Sequence, residues 1–164
     1  MINMQETVRR LAGNAEAIRA LVPVLPVEQA QWKPDPETWS LTEVMEHVYN
    51  EERLDFRKHL RAMFGYPALP SERISGVDCR EALKGFLSER EASIAWLATL
   101  GSPDWEATIT LTFSPGEQLT LSAGDMLVSW VEHDLLHMRQ MVELLHAWNV
   151  EQAPPYSVQY AGGW

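Results

Sequence analysis

Apolar residues recur at Met4, Val8, Leu11, Ala15, Ile18 and Val22, a stripe with the three-to-four-residue period of a helix. The pattern predicts a first helix from about Asn3 to Val22. Pro23, Pro26, Pro34 and Pro36 then forbid a long regular element, although Pro26 can open one short turn through Gln31. Trp32 and Trp39 flank Lys33-Pro34-Asp35-Pro36; their size predicts that the connector packs onto the body, with a tryptophan or two buried. Ser40-Leu41-Thr42-Glu43 has the form of a capping box and predicts a second helix over about 41–64, ended by Gly65-Tyr66-Pro67. Asp78-Cys79-Arg80-Glu81 is a further start signal. It precedes Ala82, Leu83, Phe86, Leu87, Ile94 and Leu97, with Gly101 just past the end, so the third helix spans about 79–100.

The period then changes. Thr108-Ile109-Thr110-Leu111-Thr112-Phe113 alternates and is rich in β-branched residues, Ser114-Pro115-Gly116-Glu117 supplies a turn, and Leu119-Thr120-Leu121 alternates again. A hairpin is expected over about 106–121. From Ser122-Ala123-Gly124-Asp125 the helical period resumes and holds to Trp148, a fourth helix over about 123–148. Pro154, Pro155, Gly162 and Gly163 predict an irregular tail. The elements add up to an all-α, up-down-down-up style four-helix bundle with a short β-hairpin inserted before the last helix.

A chain of 164 residues suits one domain with a sizeable core. Thirteen basic residues against 23 acidic ones give a net charge of −10, which repels phosphate backbones and anionic lipid, so neither nucleic acid nor a membrane surface is an expected partner. No stretch approaches the apolar run of about 20 residues that a membrane span needs, and the N-terminus carries no basic-then-apolar leader. The expected location is cytoplasmic. Cys79, the one cysteine, rules out an internal disulfide framework and is expected to be an inert thiol.

Chemistry enters with the histidines. His133 and His137 stand four apart, which places both imidazoles on one face of the fourth helix, and they interrupt the stripe of Met126, Trp130 and Leu144 together with the amide of Gln140. His47 does the same on the second helix, on a face with Val44 and Leu54. Each can be a core histidine bonded to a carbonyl. Two on one turn favour a shared metal, because an unpartnered buried imidazole costs about 1–3 kcal/mol. Three imidazoles, His47, His133 and His137, would leave coordination positions open for water or substrate.

Glu51, about 40° round from His47 at i+4, has four open readings: a fourth ligand, a carboxylate that orients an imidazole, a general base acting on water at the metal, or a solvated surface glutamate. His59 and His146 point away from the other histidines at helical spacing and are expected to be exposed. Arg53, Arg57 and Arg61 form an i, i+4, i+8 stripe, read as a solvated face pairing with nearby glutamates or as a patch steering an anionic substrate to the site mouth. There is no Gly-x-Ser-x-Gly elbow, phosphate loop or Cys-x-x-Cys pair, and Asp134 stands where a zincin protease has the glutamate of His-Glu-x-x-His. Glu143-Leu144-Leu145-His146 has the Glu-x-x-His form of di-iron bundles but no second copy.

Three passages resemble the DinB-like family of metal-binding four-helix bundles, the DinB/YfiT superfamily. They are Trp39-Ser40-Leu41-Thr42-Glu43-Val44-Met45-Glu46-His47, then His133-Asp134-Leu135-Leu136-His137-Met138-Arg139-Gln140, and the order of elements from about residue 3 to 149. The resemblance implies that His47, His133 and His137 bind a divalent ion, commonly zinc or nickel. It also implies a reaction of one of two kinds, transfer to a low-molecular-weight thiol or metal-dependent hydrolysis. Imidazole suits iron and manganese as well. The expected partner is a small-molecule substrate, possible thiols among them, and the seven tryptophans suggest an aromatic patch for a homodimer. The rival reading is a non-catalytic domain whose histidine site only stabilises the bundle or a dimer interface.

Overall fold

Asn3 caps the first helix, its side-chain oxygen accepting from Glu6 N at 3.1 Å, and α1 runs Met4–Leu21 with Leu11, Ala15 and Ile18 buried. The structure is a computed structural model that describes residues 3–22, 25–69 and 72–163; Pro23, read above as part of the connector, lies outside the described residues. The short α2 (Val27–Gln31) follows Pro26. Ser40 and Glu43 form the reciprocal capping box that starts α3 (Leu41–Glu51). Asp78 caps α5 (Cys79–Thr99), and Ser122 and Asp125 form a second capping box at the start of α6 (Ala123–Gln152).

The second long helix is not uniform, as the sequence had suggested. A π-helical turn, Glu52–Phe56, separates α3 from α4 (Arg57–Met63). One extra residue per turn shifts the phase of everything after Glu51, which turns Glu52, Phe56 and Arg57 inward. The last helix also continues past Trp148 to Gln152.

Strands β1 (Thr108–Ser114) and β2 (Glu117–Ser122) pair antiparallel, with Ile109 opposite Leu121 and a register shift between Thr112 and Ser114. Gly116 takes the positive φ of +88° that the turn requires. Ile109, Leu111 and Leu121 pack against the bundle, so the hairpin covers one end of the core.

In the bundle, α1 touches α5 and α6, and α3 touches the same two helices. The first and second long helices are therefore diagonal, and α3 lies directly beside α6, the arrangement that lets His47 reach the histidine pair. The core divides into two apolar clusters. One holds Ile18, Met45, Val48, Phe86 and Met141; the other holds Leu11, Phe56, Leu97, Leu127 and Trp130.

Three buried charges complete the interior: Glu52, Arg90 and Asp134, each at most 2% exposed. Arg90 Nε and Nη2 donate to Glu52 Oε2 at 3.0 and 2.8 Å, and Nη1 and Nη2 donate to Asp134 Oδ2 and Oδ1 at 2.7 and 2.8 Å. Nη1 also donates to Leu11 O at 3.0 Å. All five N–H groups of the guanidinium are thereby used, which is the condition for burying a cation without a large penalty. Burial opposes the charge, but Glu52 and Asp134 outweigh it and raise the Arg90 pKa above its ordinary value. No helix of the described residues is long and apolar enough to cross a membrane.

Candidate metal centre

His47 stands on the third turn-face of α3, and His133 and His137 stand one turn apart on α6. Their ring nitrogens converge: His133 Nε2 is 3.2 Å from His47 Nε2 and 3.1 Å from His137 Nε2. Among the described residues, these three form the group of side chains able to hold a metal ion, with one ligand atom of each lying within 4.8 Å of the others.

The donor set fits a cation better than it fits itself. An imidazole nitrogen offers one in-plane proton or one lone pair, so His133 Nε2 can make one linear hydrogen bond but not two. Gln140 Oε1 lies 2.9 Å from His137 Nδ1 and accepts its proton, which leaves the lone pair of His137 on Nε2, facing the cluster. A central ion satisfies all three nitrogens at once. With metal–nitrogen distances of about 2.0–2.1 Å, nitrogens spaced in this way subtend roughly 95–105° at the ion, between octahedral and tetrahedral values.

The electrostatics agree. Burial, reinforced by the neighbouring histidine His137 and by Arg73, lowers the His47 pKa to about 4. Burial followed by His137 and His47 lowers that of His133 to about 3. The His137 pKa is also lowered, chiefly by burial, with the Gln140 hydrogen bond opposing. All three rings are consequently neutral at physiological pH, the form that binds metal.

Glu51 lies on the other side of His47. Its Oε1 is 3.8 Å from His47 Nδ1, whereas His47 Nε2 faces the cluster. That placement matches the orienting carboxylate among the readings of Glu51, and a side chain only 17% exposed does not fit a solvated surface glutamate. Burial, then the hydrogen bond and charge of Asp55, push the Glu51 pKa up to about 7. Burial also pushes Asp55 upward, but the hydrogen bonds from His59 and Glu51 outweigh it and hold Asp55 below the usual carboxylate range. Glu51 therefore carries the proton and donates it to the Asp55 carboxylate, whose Oδ1 is 3.0 Å from His59 Nε2.

Aromatic rings wall the site. Phe56, turned inward by the π-turn, meets His133 edge-on at 5.0 Å and stacks on Trp130 at 5.7 Å. Trp39 lies parallel to His137, 6.4 Å between centroids, and 5.0 Å from His47. The expectation of buried tryptophans in the connector is corrected: Trp39 is 41% exposed and forms the rim of the site, and Trp32 is half-buried edge-on against Trp148.

Three other expectations change. His59 is not exposed but half-buried against Asp55, because the π-turn rotates α4 relative to α3. His146 is likewise half-buried. Of the arginine stripe, Arg57 is buried and, with Arg53, meets Glu89 of α5, while Arg61 donates to Pro67 O and lies over Tyr66 and Trp96. The stripe holds helices together and does not line the site mouth.

The sequence reading passed over Glu52, Arg90 and Asp134, and Asp55. The signal for the first three was present. Arg90 continues the buried stripe Ala82, Phe86, Leu97; Glu52 continues Leu41, Met45, Val48; and Asp134 continues Leu127, Val131, Met141. Opposite charges at core positions of three helices are a mutual pairing signal.

A family model for the DinB superfamily matches residues 10–141. No curated protein matches the chain in sequence. Among solved structures, YfiT from Bacillus subtilis, described as a probable metal-dependent hydrolase with an unusual four-helix bundle topology, is similar at a TM-score of 0.71 and 14% identity, covering 91% of each chain. A conserved protein from Enterococcus faecalis is similar at a TM-score of 0.58 and 19% identity, covering 90% of this chain and 97% of that one. At these identities the likeness establishes the fold.

Proposed function

The chain belongs to the DinB superfamily, and from that premise we propose that it is a metal-dependent hydrolase in which His47, His133 and His137 hold a divalent ion, zinc or nickel before iron or manganese. The observation that carries this reading is the convergence of three Nε2 atoms whose rings are kept neutral by burial. The description of YfiT as a probable metal-dependent hydrolase supports the reaction class. A divalent ion bound there supplies Lewis acidity, lowering the pKa of a water or thiol that reaches it and polarising an acyl oxygen.

The chain's own groups do the rest. Gln140 fixes the tautomer of His137. Glu51 orients His47 and, with a pKa near neutrality, is the group able to take up and return a proton beside it, Asp55 being the acceptor that holds that proton in the resting state. Trp39 shields the His137 ring from water. Partial exposure of the rings, 25% for the His47 side chain, favours this reading over a closed structural site.

The test is turnover of a panel of small esters and amides by the zinc- or nickel-loaded protein, with and without added low-molecular-weight thiol. Hydrolysis without thiol supports the proposal; conversion only with thiol shifts the reaction to small-thiol S-transfer at the same site. A His137→Ala variant that is folded but inactive supports catalysis, whereas loss of thermal stability with turnover unchanged supports the non-catalytic reading.

A further inference from the structure

One cation at the edge of the histidine site has no part in holding a metal. Arg73 lies between α4 and α5, and the backbone beside it is tied to the helix that carries His47. Asn50, 2% exposed, donates to Ile74 O and accepts from Ile74 N, both at 2.9 Å, and Glu46 Oε1 accepts from Val77 N at 2.8 Å. Asn50 immediately precedes Glu51, so this anchor fixes Arg73 relative to the site. A pair of hydrogen bonds from a buried amide is a built support, not a chance surface contact.

The guanidinium itself remains largely uncommitted. Its side chain is 63% exposed, and its Nη2 is 3.7 Å from Glu51 Oε1, beyond hydrogen-bond distance. The same Glu51 oxygen is 3.8 Å from His47 Nδ1, which puts Arg73 two non-bonded contacts from a metal-site ring. Trp39 supplies an open apolar face against His47 and His137. The chain's net charge of −10 repels anions at long range, so an anionic ligand here needs a local cation, and arginine's planar fork suits carboxylate and phosphate oxygens.

We propose that Arg73 is the substrate-anchoring residue of this site: its fork takes the carboxylate or phosphate group of a small organic anion, whose apolar or planar body lies on Trp39. The location of the reacting bond rests on the metal reading above; the binding of the anion does not.

The test is ligand-observed fluorine NMR titration of the zinc-loaded protein with 4-fluorobenzoate, 4-fluorophenyl phosphate and the neutral 4-fluorobenzamide. At least one anion is expected to bind saturably, and Arg73→Gln is expected to weaken it by about tenfold or more while the zinc content and the weak benzamide binding stay unchanged. Arg73→Lys, which keeps the charge and loses the fork, is expected to recover part of the affinity, and the anion that loses more identifies the group recognised. Absence of saturable binding of either anion, or equal anion affinity in the wild type and Arg73→Gln, overturns the proposal. Repeating the titration on metal-free protein separates the two readings: anion binding that still depends on Arg73 sustains this one even if the protein proves unable to retain zinc.

Discussion

Arg90 grips Asp134 through two parallel hydrogen bonds, Nη1 to Oδ2 at 2.7 Å and Nη2 to Oδ1 at 2.8 Å, one residue along the chain from His133. The same guanidinium holds Glu52, the residue after Glu51. Removing the cation leaves two buried carboxylates uncompensated. Arg90→Met is expected to destabilise the fold by about 3–5 kcal/mol in urea denaturation, and the combined replacement of Arg90, Glu52 and Asp134 by apolar residues of similar volume to regain most of that loss. Equal stability of Arg90→Met and the wild type would show that the pairing is not made in solution.

Gln140 fixes the proton of His137 on Nδ1. Gln140→Ala is expected to weaken metal binding by about 10–100-fold, read by competition with a chromogenic chelator, with helix content unchanged. An unchanged affinity would mean that the ring is oriented by packing alone.

Glu51 gives the metal-free protein a definite pH response. Its pKa is raised by folding, from 4.5 to about 7, so the folded state holds this proton more tightly than the unfolded chain does. The resulting stability penalty is absent below the unfolded pKa, grows between 4.5 and about 7, and is complete above that. Glu51→Gln removes the penalty. The variant is expected to melt above the wild type at about pH 8 and to coincide with it near pH 4, by differential scanning calorimetry in the presence of chelator. The same shift at both values would locate the effect elsewhere.

Burial, with a smaller contribution from Asp78, pushes the Cys79 thiol up to about 11. At about pH 8 it is almost wholly protonated, so the native protein should react with an aromatic disulfide reagent far more slowly than the unfolded protein does. Rapid labelling of the native protein would contradict the burial.

The histidine site was legible because its residues obey one helical phase: His133 and His137 share a face of an uninterrupted helix, and His47 lies before the π-turn. Beyond Glu51 that phase fails. His59 and Arg57 were misread because the π-turn shifts everything C-terminal to it, and no glycine or proline in Glu52–Phe56 marks the shift. Trp39 was read only as a packing residue, since the closeness of its ring to His47 and His137 is a property of the packed bundle and not of local sequence. The buried charges were a missed inference of another kind, visible as polar breaks in three core stripes. Arg73 carries no pattern at all; what places it is the Asn50 anchor.

The central claim is that three imidazoles hold one divalent ion. Anomalous diffraction across the zinc edge from crystals of the zinc-loaded protein tests it most directly, together with elemental analysis of the same sample. The account predicts about one ion per chain, with a single anomalous peak about 2.0–2.1 Å from Nε2 of His47, His133 and His137. Less than about a tenth of an equivalent after reloading, or a peak bound elsewhere with the three histidines unliganded, would contradict it.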